Sequence, residues 1–373
     1  MPKKVKIKMK TKMLDFKMAL KYFEEEQFDK LMTQKGLYFL ILRSMSRTEI
    51  LAKLLADNKL NAENVPSRKL LEYVYEKGIL LSQIEKCIHE THAIERSSRK
   101  EKEDALISEL YKLNIFDWGG LHQNSLEKTI VDNYVKKIIS FDLINKKIEN
   151  ELQISLKGYV LCSWYNHWTS IIIEDIFKDH KKVLPAVGLV KKIDFFINQI
   201  PFDLKVTYFP EGFISEKRKA ADLRPETTEL KKIARLLNIH FDVDSSGSDL
   251  LEDLWKKIND HPSNEAKQCI SSIVKFRIAL IDQSVRNPHD LIKWLYENQG
   301  TRRFDSSNRL FLILVDRSNH FDSWKLKRAK PLLTKTINGY LDALSGKDVG
   351  KVVEFDWESN RYKAISDAVF VLK

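Results

Sequence analysis

Over roughly the first 150 residues the apolar positions recur three and four apart, as in Leu51, Leu54 and Leu55, and later Ile130, Val131, Tyr134, Val135 and Ile138. That spacing lines one face of a helix and predicts a mostly helical region from Leu14 to about Ile154. Within it, Arg47 to Asp57 and Ser67 to Tyr75 are expected as two short helices split by a polar stretch with Pro66. Tyr159 to His180 continues as a strongly apolar helix that turns Trp164, Trp168, Ile171 and Phe177 toward the core, with Asn166, His167 and Glu174 as polar exceptions. The pattern then changes. Val183 to Val187, Val190 to Ile197 and Ile200 to Tyr208 are rich in β-branched and aromatic residues, which predicts strands, with Gly188 easing the passage from the first to the second. Helical spacing returns from Pro225 to Trp294, near Glu226 to Leu237, Asp249 to Ile258 and Lys267 to Ile281. Arg309 to Val315 is a continuous apolar run of the kind a buried central strand requires. A helix from Leu326 to Leu344 and strands at Lys351 to Phe355 and Ala368 to Leu372 close the chain. This order predicts an α/β fold, a mixed central sheet flanked by helices, with a mostly helical N-terminal region at 1–154. A second domain is expected at 155–373, interrupted by a helical insertion at about 225–298.

The densest chemistry lies between the second and third predicted strands. With Asn198-Gln199 as the turn of a hairpin, Ile197 opposes Ile200, Phe196 opposes Pro201, Phe195 opposes Phe202 and Asp194 opposes Asp203. Gln199 is a poor second residue for a type I′ turn, and Pro201 lacks a ladder donor; a four-residue loop on the same centre keeps the pairing, and Pro201 fits if the hairpin tip projects beyond its neighbour strand. Counting outward from the turn, the two aspartates form a non-hydrogen-bonded pair with Cα atoms roughly 4.5 Å apart. Lys205, two residues on, shares their face. Carboxylates this close among apolar residues repel unless one keeps a proton or a cation lies between them. Mg²⁺ resolves the conflict, since it is commonly bound by one or two carboxylates together with water and substrate phosphate.

Asp194 followed by Asp203-Leu204-Lys205 on the next strand resembles the PD-(D/E)xK nuclease superfamily, whose fold is that of many restriction endonucleases. Ile193 stands where the name-giving proline would. The tripeptide alone has little specificity, because Asp15-Phe16-Lys17, Asp57-Asn58-Lys59, Asp179-His180-Lys181 and Glu229-Leu230-Lys231 match it too. Those four lie in polar or helical-looking sequence; only Asp203 and Lys205 combine an apolar strand with a second acid in register. The resemblance covers about Tyr159 to Lys373 and makes 155–373 a nuclease-like domain. It implies catalytic roles for Asp194, Asp203 and Lys205, and Mg²⁺ held by Asp194, Asp203 and Leu204. Glu174 on the preceding helix resembles the family's further acid, with Asp175 as its competitor. The implied activity is that of a type II restriction endonuclease on double-stranded DNA, leaving a 5′-phosphate and a 3′-hydroxyl. A homodimer and a cognate DNA methyltransferase are the implied partners. Two alternatives stay open: a nuclease effector of another defence or repair system, and a catalytically inactive DNA-binding protein on the same fold.

Charge agrees with a phosphate-rich partner. Among 373 residues, 63 Lys and Arg outnumber 52 Asp and Glu, a formal charge of +11. Ser67, Arg68 and Lys69, at the start of either a recognition helix in a helix-turn-helix or one member of a plain packing pair, and Lys217, Arg218 and Lys219, in a charged segment from Glu216 to Arg224 suited to a backbone-contacting loop or simply solvated, are the candidate DNA contacts. Lys3 to Lys12, a basic arm or lysine-protected edge strand, is another basic stretch. Cys87, Cys162 and Cys269 are odd in number and widely spaced, against a disulfide framework or zinc ribbon. Cys87, His89 and His92 lack metal-site spacing and are expected to be polar residues of a helix. Phe116-Asp117-Trp118-Gly119-Gly120 is expected as a locally packed turn. No apolar run reaches membrane-span length and the lysine-rich start lacks a signal-peptide segment, so the expected location is the cytoplasm.

Overall fold

The computed structural model describes residues 14–116, 130–188, 190, 192–242, 247–299, 304–344 and 349–373. Its first hundred described residues are helical: α1 (Phe16–Glu24), α2 (Phe28–Leu31), α3 (Gln34–Arg43), α4 (Thr48–Asp57), α5 (Leu70–Lys77) and the long α6 (Leu81–Leu110). Asp15 and Thr33 begin α1 and α3 by accepting from the N–H groups of Met18 and Gly36 at 2.7 and 3.1 Å, which satisfies donors that a helix start leaves without partners. Phe39, Leu40, Leu54 and Val74 build a core that also takes in Leu184, Ile193 and Phe196. The helical region therefore rests directly on the segment leading to Asp194. Gly188 marks the contact: its N–H donates to the Ser44 carbonyl at 2.6 Å, and a Cβ there would sit 2.9 Å from that oxygen.

Ser67–Lys69 is a 3₁₀ turn that runs directly into α5, so the helix expected from Ser67 to Tyr75 forms with a tightened first turn. All three side chains are exposed, and α5 is anchored by the buried Leu70 and Val74. The basic arm at Lys3 to Lys12 and residues Asp117 to Gly120 lie outside the described residues. Phe116 packs against distant segments, its ring stacked 5.2 Å from that of Trp324 and 5.7 Å from that of Tyr165.

The fold is a mixed α/β arrangement with helices around a six-stranded sheet. After α7 (Phe141–Lys147) and α8 (Gln153–Lys178) come β1 (Val183–Pro185), β2 (Phe195–Ile197) and β3 (Ile200–Tyr208). Then α9 (Glu211–Ala220), α10 (Glu226–Leu236), α11 (Gly247–Asn259), α12 (Asn264–Arg286) and α13 (His289–Glu297) precede β4 (Arg309–Val315). α14 (Lys330–Ala343), β5 (Lys351–Trp357) and β6 (Asn360–Leu372) complete the chain. Strands lie in the order β1-β2-β3-β4-β6-β5. β3, β4 and β6 are mutually parallel at the centre, while β1, β2 and β5 join antiparallel. All of β4 is buried, as a continuous apolar run between two covered faces requires. On one face Ile173 and Phe177 of α8 and Leu333 and Ile337 of α14 cover Phe202, Leu310 and Leu312. On the other, Phe213, Ile281 and Tyr296 cover Phe311 and Ile313. The insertion keeps a core of its own around Leu230, Leu254 and Ile273.

Several boundaries move for local reasons. The strand expected from Val190 shrinks to β2, because Lys192 takes a left-handed φ of 70° and breaks the extended run. The helix expected from Leu326 begins as a 3₁₀ segment, His320–Arg328, and becomes α-helical only at Lys330, next to Pro331 at its first turn. The last strand begins eight residues earlier than the apolar run Ala368 to Leu372 suggests, because Glu358 and Ser359, both at positive φ, turn the chain back from β5. The first part of the charged stretch, Glu216 to Ala220, belongs to helix α9, with Phe213, Ile214 and Arg218 on its buried side, and only Ala221 to Arg224 lie beyond it. Among the described residues no helix is long and apolar enough to cross a membrane.

Candidate functional site

The hairpin forms on the expected turn. Asn198 and Gln199 both adopt left-handed φ values, 49° and 67°, and Ile197, Phe196 and Phe195 face Ile200, Pro201 and Phe202. β3 first meets β4 where Asp203 faces Arg309. Pro201 lies before that point, at the projecting tip, where its missing donor costs nothing.

One step beyond Phe195 the ladder changes character. The Asp194 N–H donates to the Phe202 carbonyl at 2.9 Å, and the Leu204 N–H donates to Oδ2 of Asp194 at 2.7 Å. A continuing antiparallel strand would give Leu204 a main-chain acceptor. The carboxylate substitutes for it, so Asp194 is fixed against the main chain of the tripeptide. The Asp203 N–H points the other way, to the Asn308 carbonyl at 2.9 Å. Backbone direction alternates along a strand, so Leu204 presents its carbonyl on the Asp194 edge, past the end of β2.

The electrostatics follow from that placement. Burial, then the charges of Glu174 and Asp203, push the Asp194 carboxyl up to about 7, against the Leu204 hydrogen bond. Burial also raises Asp203, with Lys205 and Arg309 opposing. Oδ2 of Asp203 is buried and makes no aligned hydrogen bond; its neighbours are cations, Lys205 Nζ at 2.7 Å and Arg309 Nε at 3.8 Å. Glu174 is partly exposed and pairs with Lys178 at 2.9 Å. Asp175, its competitor, is buried and bound by Arg99 through two hydrogen bonds of 2.7 and 2.8 Å, which ties α6 to α8. The structure thus brings Asp194, Asp203, Leu204, Lys205 and Glu174 together and assigns Asp175 to scaffolding.

Among the described residues, no group of three or more His, Cys, Asp and Glu side chains closes on one point as a cage for a metal. Two carboxylates, with water and substrate oxygens completing the shell, suffice for Mg²⁺. A buried Asp203 oxygen lacking an aligned donor, beside a carboxyl that resists ionisation without a counter-charge, fits such an ion.

The candidate DNA contacts are not gathered with this group. Arg218 is withdrawn from that role: it is buried, its Nε donates to the Arg224 carbonyl at 2.7 Å, and its guanidinium lies over the Phe276 ring. Lys217 pairs with Asp290 at 3.3 Å, while Lys219 is exposed. Ser67, Arg68 and Lys69 stand on the exposed turn before α5.

Sequence reasoning missed the polar layer beneath Asp203. Arg309, expected only as the first residue of an apolar strand, is buried, 2.8 Å from Asp305, and stacked over the Tyr296 ring. Asn308 donates to the Pro201 carbonyl at 3.2 Å and accepts from the Ile365 N–H at 2.8 Å, joining β3 to β6. A signal was present: Asp305, Asn308 and Arg309 are polar residues clustered at the mouth of a strand too apolar to leave the core. No family model, curated protein or solved structure matches the chain.

Proposed function

We propose that this protein is a Mg²⁺-dependent endodeoxyribonuclease that hydrolyses phosphodiester bonds of double-stranded DNA at specific sites, in the manner of a type II restriction enzyme. The observation that carries the reading is the hydrogen bond from the Leu204 N–H to Asp194, which holds one acid against the main chain of an Asp-Leu-Lys tripeptide whose own acid is buried. Asp194, Asp203 and the Leu204 carbonyl would hold the ion. A bound Mg²⁺ would supply Lewis-acid stabilisation of charge on the phosphate and leaving oxygens. The chain's own groups do the rest. Lys205, partly exposed beside Asp203, orients the attacking water and offsets negative charge as it develops. Glu174 adds negative charge near Asp194 and so strengthens the demand for a cation there.

The basic excess of the chain suits a polyphosphate substrate. One hairpin per chain supplies one site, and a two-fold dimer presents two sites to the two strands of a symmetric sequence. Incubating the pure protein with phage DNA and Mg²⁺ tests the reading. Discrete fragments carrying 5′-phosphates are expected, and DNA left intact across a range of sequences would refute it.

A further inference from the structure

We infer that Arg309 is a positioning residue of the hairpin site, and that Asp305 sets how much of its charge Asp203 receives. The inference rests on the nuclease reading above. Arg309 enters opposite Asp203 in the parallel register of β3 and β4. Its guanidinium is buried and confined on three sides, by the Tyr296 ring at 5.1 Å, by Asp305 Oδ2 at 2.8 Å from Nη2, and by Asp203 Oδ2 at 3.8 Å from Nε. That Nε makes no hydrogen bond in the described structure, although it is buried. A buried donor without a partner is costly, so it is retained where it serves a neighbour. The neighbour is the Asp203 carboxylate.

The arrangement is a relay of alternating charges, Lys205, Asp203, Arg309 and Asp305. Asp305 is itself fixed, because Oδ1 accepts from the N–H and hydroxyl of Ser307. It draws Arg309 to the closer contact and leaves Asp203 the looser one. From Arg309, Asp203 therefore receives direction without full neutralisation; the closer contact is Lys205, 2.7 Å from the same oxygen, and it is Lys205 that a metal ion would displace there. Fully paired with Arg309, Asp203 would bind a divalent cation weakly; without Arg309 it would bind more strongly but lose its fixed direction.

This account gives substitutions at the two residues opposite signs. Arg309→Met removes the competing cation and is expected to tighten Mn²⁺ binding, read by calorimetry without DNA, by about tenfold, while slowing single-turnover cleavage at saturating metal by about 30-fold or more. Asp305→Asn releases Arg309 toward Asp203 and should weaken Mn²⁺ binding by about tenfold. Arg309→Lys loses the stacked guanidinium but keeps the positive charge between Asp203 and Asp305, so on charge alone it should return Mn²⁺ affinity to within about threefold of wild type. A purely structural role would lower melting temperature in all three and shift Mn²⁺ affinity in one direction or not at all. Should Arg309→Met fail to fold, the weakened binding of Asp305→Asn with the near-normal affinity of Arg309→Lys decides the matter. Unchanged or stronger Mn²⁺ binding by Asp305→Asn overturns the inference. Asp203→Asn separates the two readings. If it binds Mn²⁺ as wild type does, the metal site itself is wrong; if it loses binding while Asp305→Asn is unaffected, only the role of Arg309 falls.

Discussion

Asp194 does two jobs with one carboxylate. It completes the backbone ladder by accepting from Leu204, and it carries a charge that burial, Glu174 and Asp203 all oppose. Because its folded-state pKa is raised from 3.8 to about 7, the folded protein holds this proton more tightly than the unfolded chain. The associated stability is present below about pH 4 and is lost as pH rises through about 7. Asp194→Asn, which stays neutral and still offers an oxygen to Leu204, should therefore melt higher than wild type at pH 8 without metal, and the advantage should vanish by pH 4. Melting curves across that range check it, and an advantage that is largest at acid pH would contradict the assigned cause. Saturating Mg²⁺ should erase the difference from the other side by stabilising wild type alone.

At the level of elements, the hairpin is held by packing in spite of its turn. Asn198 suits a left-handed position, whereas Gln199 does not, and the register survives because Phe195, Ile197 and Phe202 are fully buried. Gln199→Gly should consequently raise stability by about 0.5–1 kcal/mol without altering the site, as measured by denaturant unfolding. A loss would mean that the Gln199 side chain makes a needed contact. This element also shows what was legible in the sequence. Two β-rich apolar runs separated by a two-residue break specify one register, so the pairs Phe195–Phe202 and Ile197–Ile200 follow from pattern alone, as does β4 from its unbroken apolar run. Hidden from pattern were events in which a side chain replaces main chain or a charge is sunk among apolar neighbours. Asp194 ends β2 by taking a ladder position, which no periodicity encodes. Arg309 looks like the polar lip of a strand, and its burial depends on Asp305 and on Tyr296 of the preceding helix α13. Arg218 sits in a run of charges that reads as solvated, yet α9 turns it inward onto Phe276.

On the scale of the whole molecule, charge and exposed apolar surface are the levers. With a formal charge of +11, DNA affinity should fall by about 10³-fold or more between about 50 and 200 mM salt, because phosphate contacts release counterions. A flat titration would remove the polyphosphate substrate. Among the described residues, exposed large apolar side chains gather at Val135 to Leu161, including Ile139, Phe141, Ile154 and Val160, more than in the insertion. For the homodimer proposed on DNA, light scattering of the Ca²⁺-blocked complex on a one-site duplex should give two chains per duplex, and a mass of one chain would refute it. The central claim is that the Asp194–Asp203 hairpin performs hydrolysis, and single-turnover cleavage by Asp203→Asn, alongside a DNA-binding titration, tests it most directly. The account predicts cleavage reduced by at least about 10²–10³-fold with binding within a few-fold of wild type. Cleavage at the wild-type rate would contradict it.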